Sequence, residues 1–270
     1  MILAISNIAW NHEEDDAISR LMQQYEFAGV EIAPTKIWPE PLKASDAELA
    51  AYARFWQARG VRISSLQALL FGRPDLAIFG TPEARRKTFD YLNGIIQLGG
   101  KLGAEILVFG SPKNRMIGDI AREQAEPIAV EFFRNVGQAA VDNGTVFCIE
   151  PNPKAYGCDF VTTSAEGRDL VDKVDHPGFG LHLDAAGMTM SHEDIELELD
   201  NSIPRLCHFH ISEPNLQPIG SNGVDHSLFA STLHKRGYDR WYSVEMRPPG
   251  TDKNVLGVEK AMQVVRDYYS

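Results

Sequence analysis

Glu150 in TVFCIEPN, Asp184 in FGLHLDAAG, His210 in LCHFHISEP and Glu245 in WYSVEM each stand near the end of a short, strand-like apolar run. Three carboxylates and one imidazole form a donor set suited to a hard or borderline divalent cation such as Mn²⁺, Mg²⁺ or Co²⁺. A cation held this way can bind a carbonyl and an adjacent hydroxyl together, which makes the carbon-bound proton more acidic and steadies an enediolate. Glu150 and Glu245, arriving from the fifth and eighth runs, reach the substrate from different sides. One can remove a proton while the other returns it, which gives isomerisation or epimerisation. The alternative is that both serve only as ligands and another residue is the base. Because the four residues are scattered along the chain, they can meet only if their strands lie side by side with C-terminal ends together. A closed parallel barrel does this and gathers its reacting groups at that face.

The rest of the chain supplies the elements such a barrel needs. Strand-like runs lie at 2–8, 29–33, 61–67, 104–110, 145–150, 178–184, 205–211 and 241–246, with amphipathic helical patterns between them. Ser45, Thr81 and Thr163 stand where helix N-caps belong. Eight strand–helix units in strict alternation predict an α/β fold, a single (β/α)8 TIM barrel over residues 1–270. A doubly wound open sheet ranks second, because NIAWNHEEDD after the first run carries neither GxGxxG nor a phosphate-binding loop. The longer loops at 33–45, 67–81, 110–119 and 211–224 follow strands and would roof the catalytic face.

Composition narrows the partners. The 270 residues suit one α/β barrel, and a hydrophobic content of 44% is ample for its core. A net charge of −11 argues against a nucleic-acid binder, which needs a basic face. It leaves room for an anionic small molecule, since a bound metal reverses the local sign. The three cysteines, Cys148, Cys158 and Cys207, lack CxxC spacing and read as reduced thiols, with Cys148 and Cys207 in the core. The N-terminus turns acidic within a dozen residues, unlike a signal peptide, and no apolar run is long enough to span a membrane. A cytoplasmic location follows as an expectation.

Alternation along the strands sorts the histidines. His182 shares a face with Asp184, and His208 with His210. The C-terminal member of each pair lies nearer the mouth, which selects Asp184 and His210 as ligands. His182 and His208 fall one layer deeper, as hydrogen-bonded core histidines or as outer partners that orient the ligands. Asn152 and Tyr156, beyond Glu150, are candidates for hydrogen bonds to substrate, as is Gln67 at the end of the third run. Lys113 and Arg115 follow the fourth run, and Arg247 follows Glu245 by two; these cations could hold a phosphate or carboxylate. Trp10 and Phe71 read as packing residues or pocket walls, and Asp225-His226 as an N-cap pair.

IEPNP at 149–153, HLDAAGM at 182–188, HFHISEPN at 208–215 and SVEM at 243–246 together resemble the four metal-ligand segments of the xylose isomerase-like TIM barrels. That superfamily, also known through AP endonuclease family 2, includes sugar-phosphate isomerases and epimerases, ketose 3-epimerases and endonuclease IV. The resemblance covers essentially the whole chain and extends to NIAW in the first run and GVEI at 29–32. It implies that Glu150, Asp184, His210 and Glu245 bind one divalent metal, Mn²⁺ first, with Mg²⁺, Co²⁺ or Zn²⁺ as alternatives. It also implies that Glu31 points to the mouth or supports it, that the substrate is a small carbohydrate or polyol, and that a homo-oligomer can form. Endonuclease IV fits poorly, since it carries additional histidines for a three-zinc cluster. Ketose 3-epimerases fit better, with three departures: Tyr156, Gly187 and Leu216 stand where those enzymes have a glutamate, a histidine and an arginine. The departures imply that free ketohexoses are poor substrates. A dehydratase of the inosose or dehydroshikimate type, or a non-catalytic metal- and sugar-binding barrel, would use the same scaffold.

Overall fold

The computed structural model describes residues 1–221, 223–250 and 253–269. Its strands are β1 (Ile2–Ser6), β2 (Gly29–Ile32), β3 (Arg62–Leu66), β4 (Ile106–Phe109), β5 (Val146–Ile149), β6 (Phe179–Asp184), β7 (Leu206–Ser212) and β8 (Trp241–Glu245). All pair in parallel with their sequence neighbours, and β1 also pairs with β8, which closes the barrel. The helices are α1 (Asp15–Gln24), α2 (Asp46–Gln57), α3 (Pro82–Leu102), α4 (Arg122–Asp142), α5 (Ser164–Val174), α6 (Ala185–Met190), α7 (Ile195–Ser202), α8 (His226–Lys235) and α9 (Asn254–Tyr269). Two helices follow β6, because Asp184 both ends the strand and caps the short α6. The side-chain oxygens of Ser45, Thr81 and Thr163 accept first-turn N–H groups of α2, α3 and α5, as their spacing predicts.

The strands are buried on both faces, as a parallel sheet wrapped in helices requires. Outward side chains pack under the helices; Phe133 of α4 stacks on Phe179 of β6 with centroids 4.9 Å apart. Trp10 belongs to this packing, since it is fully buried and its indole N–H donates to Asp15 Oδ1 at 2.7 Å. Inward side chains fill the barrel in layers. At the N-terminal end Trp241 lies over Gly29, where an added Cβ would sit 2.5 Å from its ring, and Cys207 lies over Gly180. Ile106, Val108 and Cys148 pack beside them. The polar layers above this plug form the mouth.

Two register shifts set those layers. One between Leu181 and His182 brings His182 opposite His208 and Asp184 opposite His210. Another between Val30 and Glu31 brings Glu31 opposite Ser65. No described helix is long and apolar enough to cross a membrane.

Candidate metal centre

The ligand atoms of Glu150, Asp184 and His210 lie within 4.8 Å of one another. Glu245 completes the group, with Oε2 3.4 Å from His210 Nδ1. Each side chain arrives by a different local device. Glu150 is one residue past β5, where its N–H donates to Phe109 O at 3.1 Å. Gly110 makes room for it, since a Cβ there would lie 2.3 Å from Glu150 Oε2. Asp184 is held through both oxygens: Oδ1 accepts the Gly187 N–H at 2.6 Å, and Oδ2 accepts the Ser212 hydroxyl.

His210 is fixed from behind. Its Nε2 lies 3.0 Å and 3.2 Å from the two oxygens of Glu31, so the proton is assigned to that nitrogen. Nδ1, facing the carboxylates, is buried and makes no hydrogen bond. A histidine whose far nitrogen donates to a carboxylate while its near nitrogen is left to a ligand is the usual arrangement around a metal ion. The orphaned Nδ1, with three carboxylates around it, fits a divalent cation.

Glu31 anchors the layer below. It accepts from Ser65 Oγ at 2.7 Å, Gln67 Nε2 at 3.0 Å and Ser243 Oγ at 3.3 Å, as well as from His210. Burial alone would raise its pKa, but His210, by charge and hydrogen bond, outweighs that and holds it at about 2. His208 Nε2 lies 3.1 Å from Ser65 Oγ, and its Nδ1 lies 3.1 Å from His182 Nδ1. Burial keeps both deeper histidines neutral and pushes His208 down to about 3. His182 and His208 thus lie one layer below Asp184 and His210, and Glu31 lies behind His210.

Burial and crowding of like charges shift the acid–base balance at the mouth. Burial and the nearby charges of Glu245 and Asp184 push Glu150 up to about 8. Burial and Glu245 push Asp184 up to about 6. Burial lowers His210, yet Glu31 and Glu245 prevail and raise it well above its usual range. In the metal-free protein protons therefore occupy sites a cation would take, and binding must displace them. A cation taken by Glu150 would have to displace that proton below about pH 8, so its affinity would rise with pH. Mn²⁺ titrations at pH 6 and pH 8 should show affinity at least about 10-fold tighter at pH 8. Equal affinity at the two values would contradict this proton competition.

A cavity of about 470 Å³ opens above the centre, lined by Gln67, Asn152, Tyr156, Leu216 and Arg247 together with the carboxylates. The amide nitrogen of Gln67 is already committed to Ser6 Oγ at 2.6 Å and to Glu31, so what it offers the cavity is its carbonyl oxygen. Asn152 is buried, and its Oδ1 has no partner. The Tyr156 hydroxyl accepts the Asn215 N–H at 2.9 Å.

The three cations expected to grip substrate separate. Arg115 is fully buried; its guanidinium donates to Glu150 O at 2.7 Å and to Val161 O at 3.4 Å. This corrects its expected role. It braces the backbone under Glu150, because the turn at Ser111 (φ 40°) folds the chain back beneath the site. Lys113 is exposed and off the cavity wall, contrary to expectation. Arg247 lines the cavity, but its Nε and Nη2 both donate to Asn215 O, at 2.9 Å and 2.6 Å. Phe71 lies outside this cavity, highly exposed beside a separate groove. Asp225 caps α8 through Leu228 N–H, and His226 lies 3.2 Å from Glu213 Oε1.

Several contributors carried no flag in the sequence. Ser65, Ser212 and Ser243 each sit two residues from a recognised inward side chain, so alternation alone could have found them. Glu213, fully buried at the cavity edge, accepts the Gly220 N–H at 2.9 Å and shapes the loop after β7. Ala68, Ser111, Asn215 and Leu216 line the cavity with left-handed φ angles, a strain of about 1–3 kcal/mol each that gathers at functional sites.

Known proteins share this architecture. A probable ketose 3-epimerase of Synechocystis sp. is 25% identical over 152 residues, 56% of this chain. The matched stretch spans only half of that relative's length. The psicose 3-epimerase of Clostridium cellulolyticum H10, solved with D-tagatose, superposes with a TM-score of 0.83 at 16% identity over 100% of both chains. A 3-keto-D-glucoside 4-epimerase from E. coli superposes with a TM-score of 0.82 at 17% identity over 99% of both. At these identities the two structures establish a shared fold. Residues 19–268 match the family described as xylose isomerase-like TIM barrel, and the chain belongs to that family.

Proposed function

We propose that this chain is a divalent-metal-dependent isomerase or epimerase of a small carbohydrate, with Glu150, Asp184, His210 and Glu245 as ligands and Mn²⁺ as the first candidate ion. The observation that carries the reading is the pairing of two carboxylates that line one cavity, Glu150 and Glu245, with an orphaned histidine nitrogen buried beside them. A bound cation would supply Lewis acidity toward a carbonyl and its neighbouring hydroxyl. The chain's own groups do the rest. Glu150 and Glu245 exchange a carbon-bound proton with the substrate from two directions. In the metal-free protein burial and like-charge neighbours push Glu150 up to about 8, and a bound cation would pull it back down. Glu31 holds His210 in one tautomer, and Asn152 Oδ1 is free to accept a substrate hydroxyl. The similarity to a probable ketose 3-epimerase supports this reaction class. The free thiols Cys148, Cys158 and Cys207 fit a cytoplasmic setting.

The test is proton exchange. The Mn²⁺-loaded protein, incubated in deuterated water with ketoses and keto-glycosides, should place solvent deuterium on the carbon beside the carbonyl, with no atoms lost from the product. A product lighter by one water would replace this reading with a dehydratase. Tight binding without exchange would make the barrel a non-catalytic receptor.

A further inference from the structure

One buried carboxylate beside the cavity stands outside the candidate ligand group. Glu213 directly follows β7 and is fully buried. Its Oε1 accepts the Gly220 N–H at 2.9 Å, and its Oε2 accepts the Val224 N–H at 3.4 Å. The carboxylate therefore ties the start of the loop after β7 to two points further along it. Its backbone oxygen accepts the Leu216 N–H at 2.8 Å. The placement of Glu213 thus bears on Asn215 and Leu216, which line the cavity with φ of 60° and 56°. Two consecutive non-glycine residues persist in the left-handed region only where their surroundings fix them.

A side chain outside the cavity wall completes the arrangement. His226 opens α8 and is buried, with Nε2 3.2 Å from Glu213 Oε1. Its Nδ1 lies 3.1 Å from the hydroxyl of Tyr269, at the end of α9. Burial lowers the His226 pKa although Glu213 and Asp225 oppose that, so the ring is neutral. Burial raises the Tyr269 hydroxyl well above its usual range, so it keeps its proton. A carboxylate only accepts. The ring proton is therefore assigned to Nε2, which donates to Glu213, while the Tyr269 hydroxyl donates to Nδ1. A chain of donors runs from α9 through α8 to the loop. Both ring nitrogens are taken, which leaves His226 none for a substrate or a cation.

Resting on the reading of the cavity as the substrate site, we propose that His226 is a positioning residue. Held in one tautomer by Tyr269, it fixes Glu213 and, through it, keeps Asn215 and Leu216 in the cavity wall. Arg247 and Tyr156 grip Asn215 from the cavity side; the His226 chain secures the same loop from behind.

Amide hydrogen exchange on the full chain tests this without substrate or metal. His226→Ala should speed exchange in residues 213–221 by about 10-fold, the scale of one hydrogen bond to a charged group, with the barrel strands unchanged. His226→Gln, whose amide can still donate to Glu213, should recover most of that protection. Tyr269→Phe, which frees Nδ1 and the tautomer, should lose part of it. With D-tagatose as the probe, solvent-deuterium incorporation by His226→Ala should show a raised KM and a nearly unchanged kcat, the pattern of lost binding. Unchanged exchange in residues 213–221 in His226→Ala would overturn the proposal. So would acceleration spread evenly over the barrel in both His226→Gln and Tyr269→Phe, which marks a merely structural role. Acceleration confined to the loop, in a protein that transfers no deuterium to any ketose, would uphold the anchoring and defeat the isomerase reading instead.

Discussion

Glu150→Gln and Glu245→Gln should each lower turnover by at least about 10² while the protein still binds its metal. Glutamine keeps a neutral oxygen where the ligand stood and removes the proton acceptor. The two side chains differ in setting, which makes separate assays informative. Glu150 lies among Asp184, Glu245 and the buried backbone braced by Arg115, and without a metal its neighbours and burial push it up to about 8. Glu245 ends β8, approaches His210 Nδ1 at 3.4 Å and is partly open to the cavity. An interaction made only in the transition state lowers kcat and kcat/KM together. That is the pattern expected of both variants, measured beside metal content. Retained metal with near-normal turnover in both would eliminate the two-base mechanism and leave both glutamates as ligands.

Chelation should abolish turnover, and Mn²⁺, Co²⁺ or Mg²⁺ should restore it. Asp184→Ala and His210→Ala should each weaken metal binding by about 10-fold or more, since even groups behind the ligands contribute that much. The variants differ in their structural side effects. Loss of Asp184 also removes the N-cap of α6, a stability cost of about 1 kcal/mol. Loss of His210 leaves Glu31 with Ser65, Gln67 and Ser243 as remaining donors, so its charge stays hydrogen-bonded. Thermal unfolding of each metal-free variant separates a folding defect from a ligand defect. Unaltered metal affinity in both would remove these residues from the centre.

The barrel was legible because eight apolar runs alternate with amphipathic helices, and because Ser45, Thr81 and Thr163 mark helix starts by their own chemistry. The grouping of Glu150, Asp184 and His210 followed from strand ends that parallel pairing brings together. Alternation placed His182 and His208 one layer below. What stayed hidden depends on register and loop path. The shift between Leu181 and His182 that aligns Asp184 with His210 has no sequence signature. Arg115 and Lys113 are two residues apart, yet one is buried under Glu150 and the other is exposed. That difference arises from backbone turns at Ser111 and Val161 that neither residue type announces. Gly110 is a small residue by necessity, but only the position of Glu150 Oε2 reveals the reason.

One divalent cation is expected among Glu150, Asp184, His210 and Glu245. Elemental analysis of the protein after dialysis against Mn²⁺, paired with equilibrium titration of the metal-free form, tests it most directly. The expected result is one ion per chain, bound more tightly at pH 8 than at pH 6 and weakened by about 10-fold or more in Asp184→Ala and in His210→Ala. Full turnover in protein shown to be metal-free, or unchanged affinity in both variants, would place the cation elsewhere or remove it from the reaction.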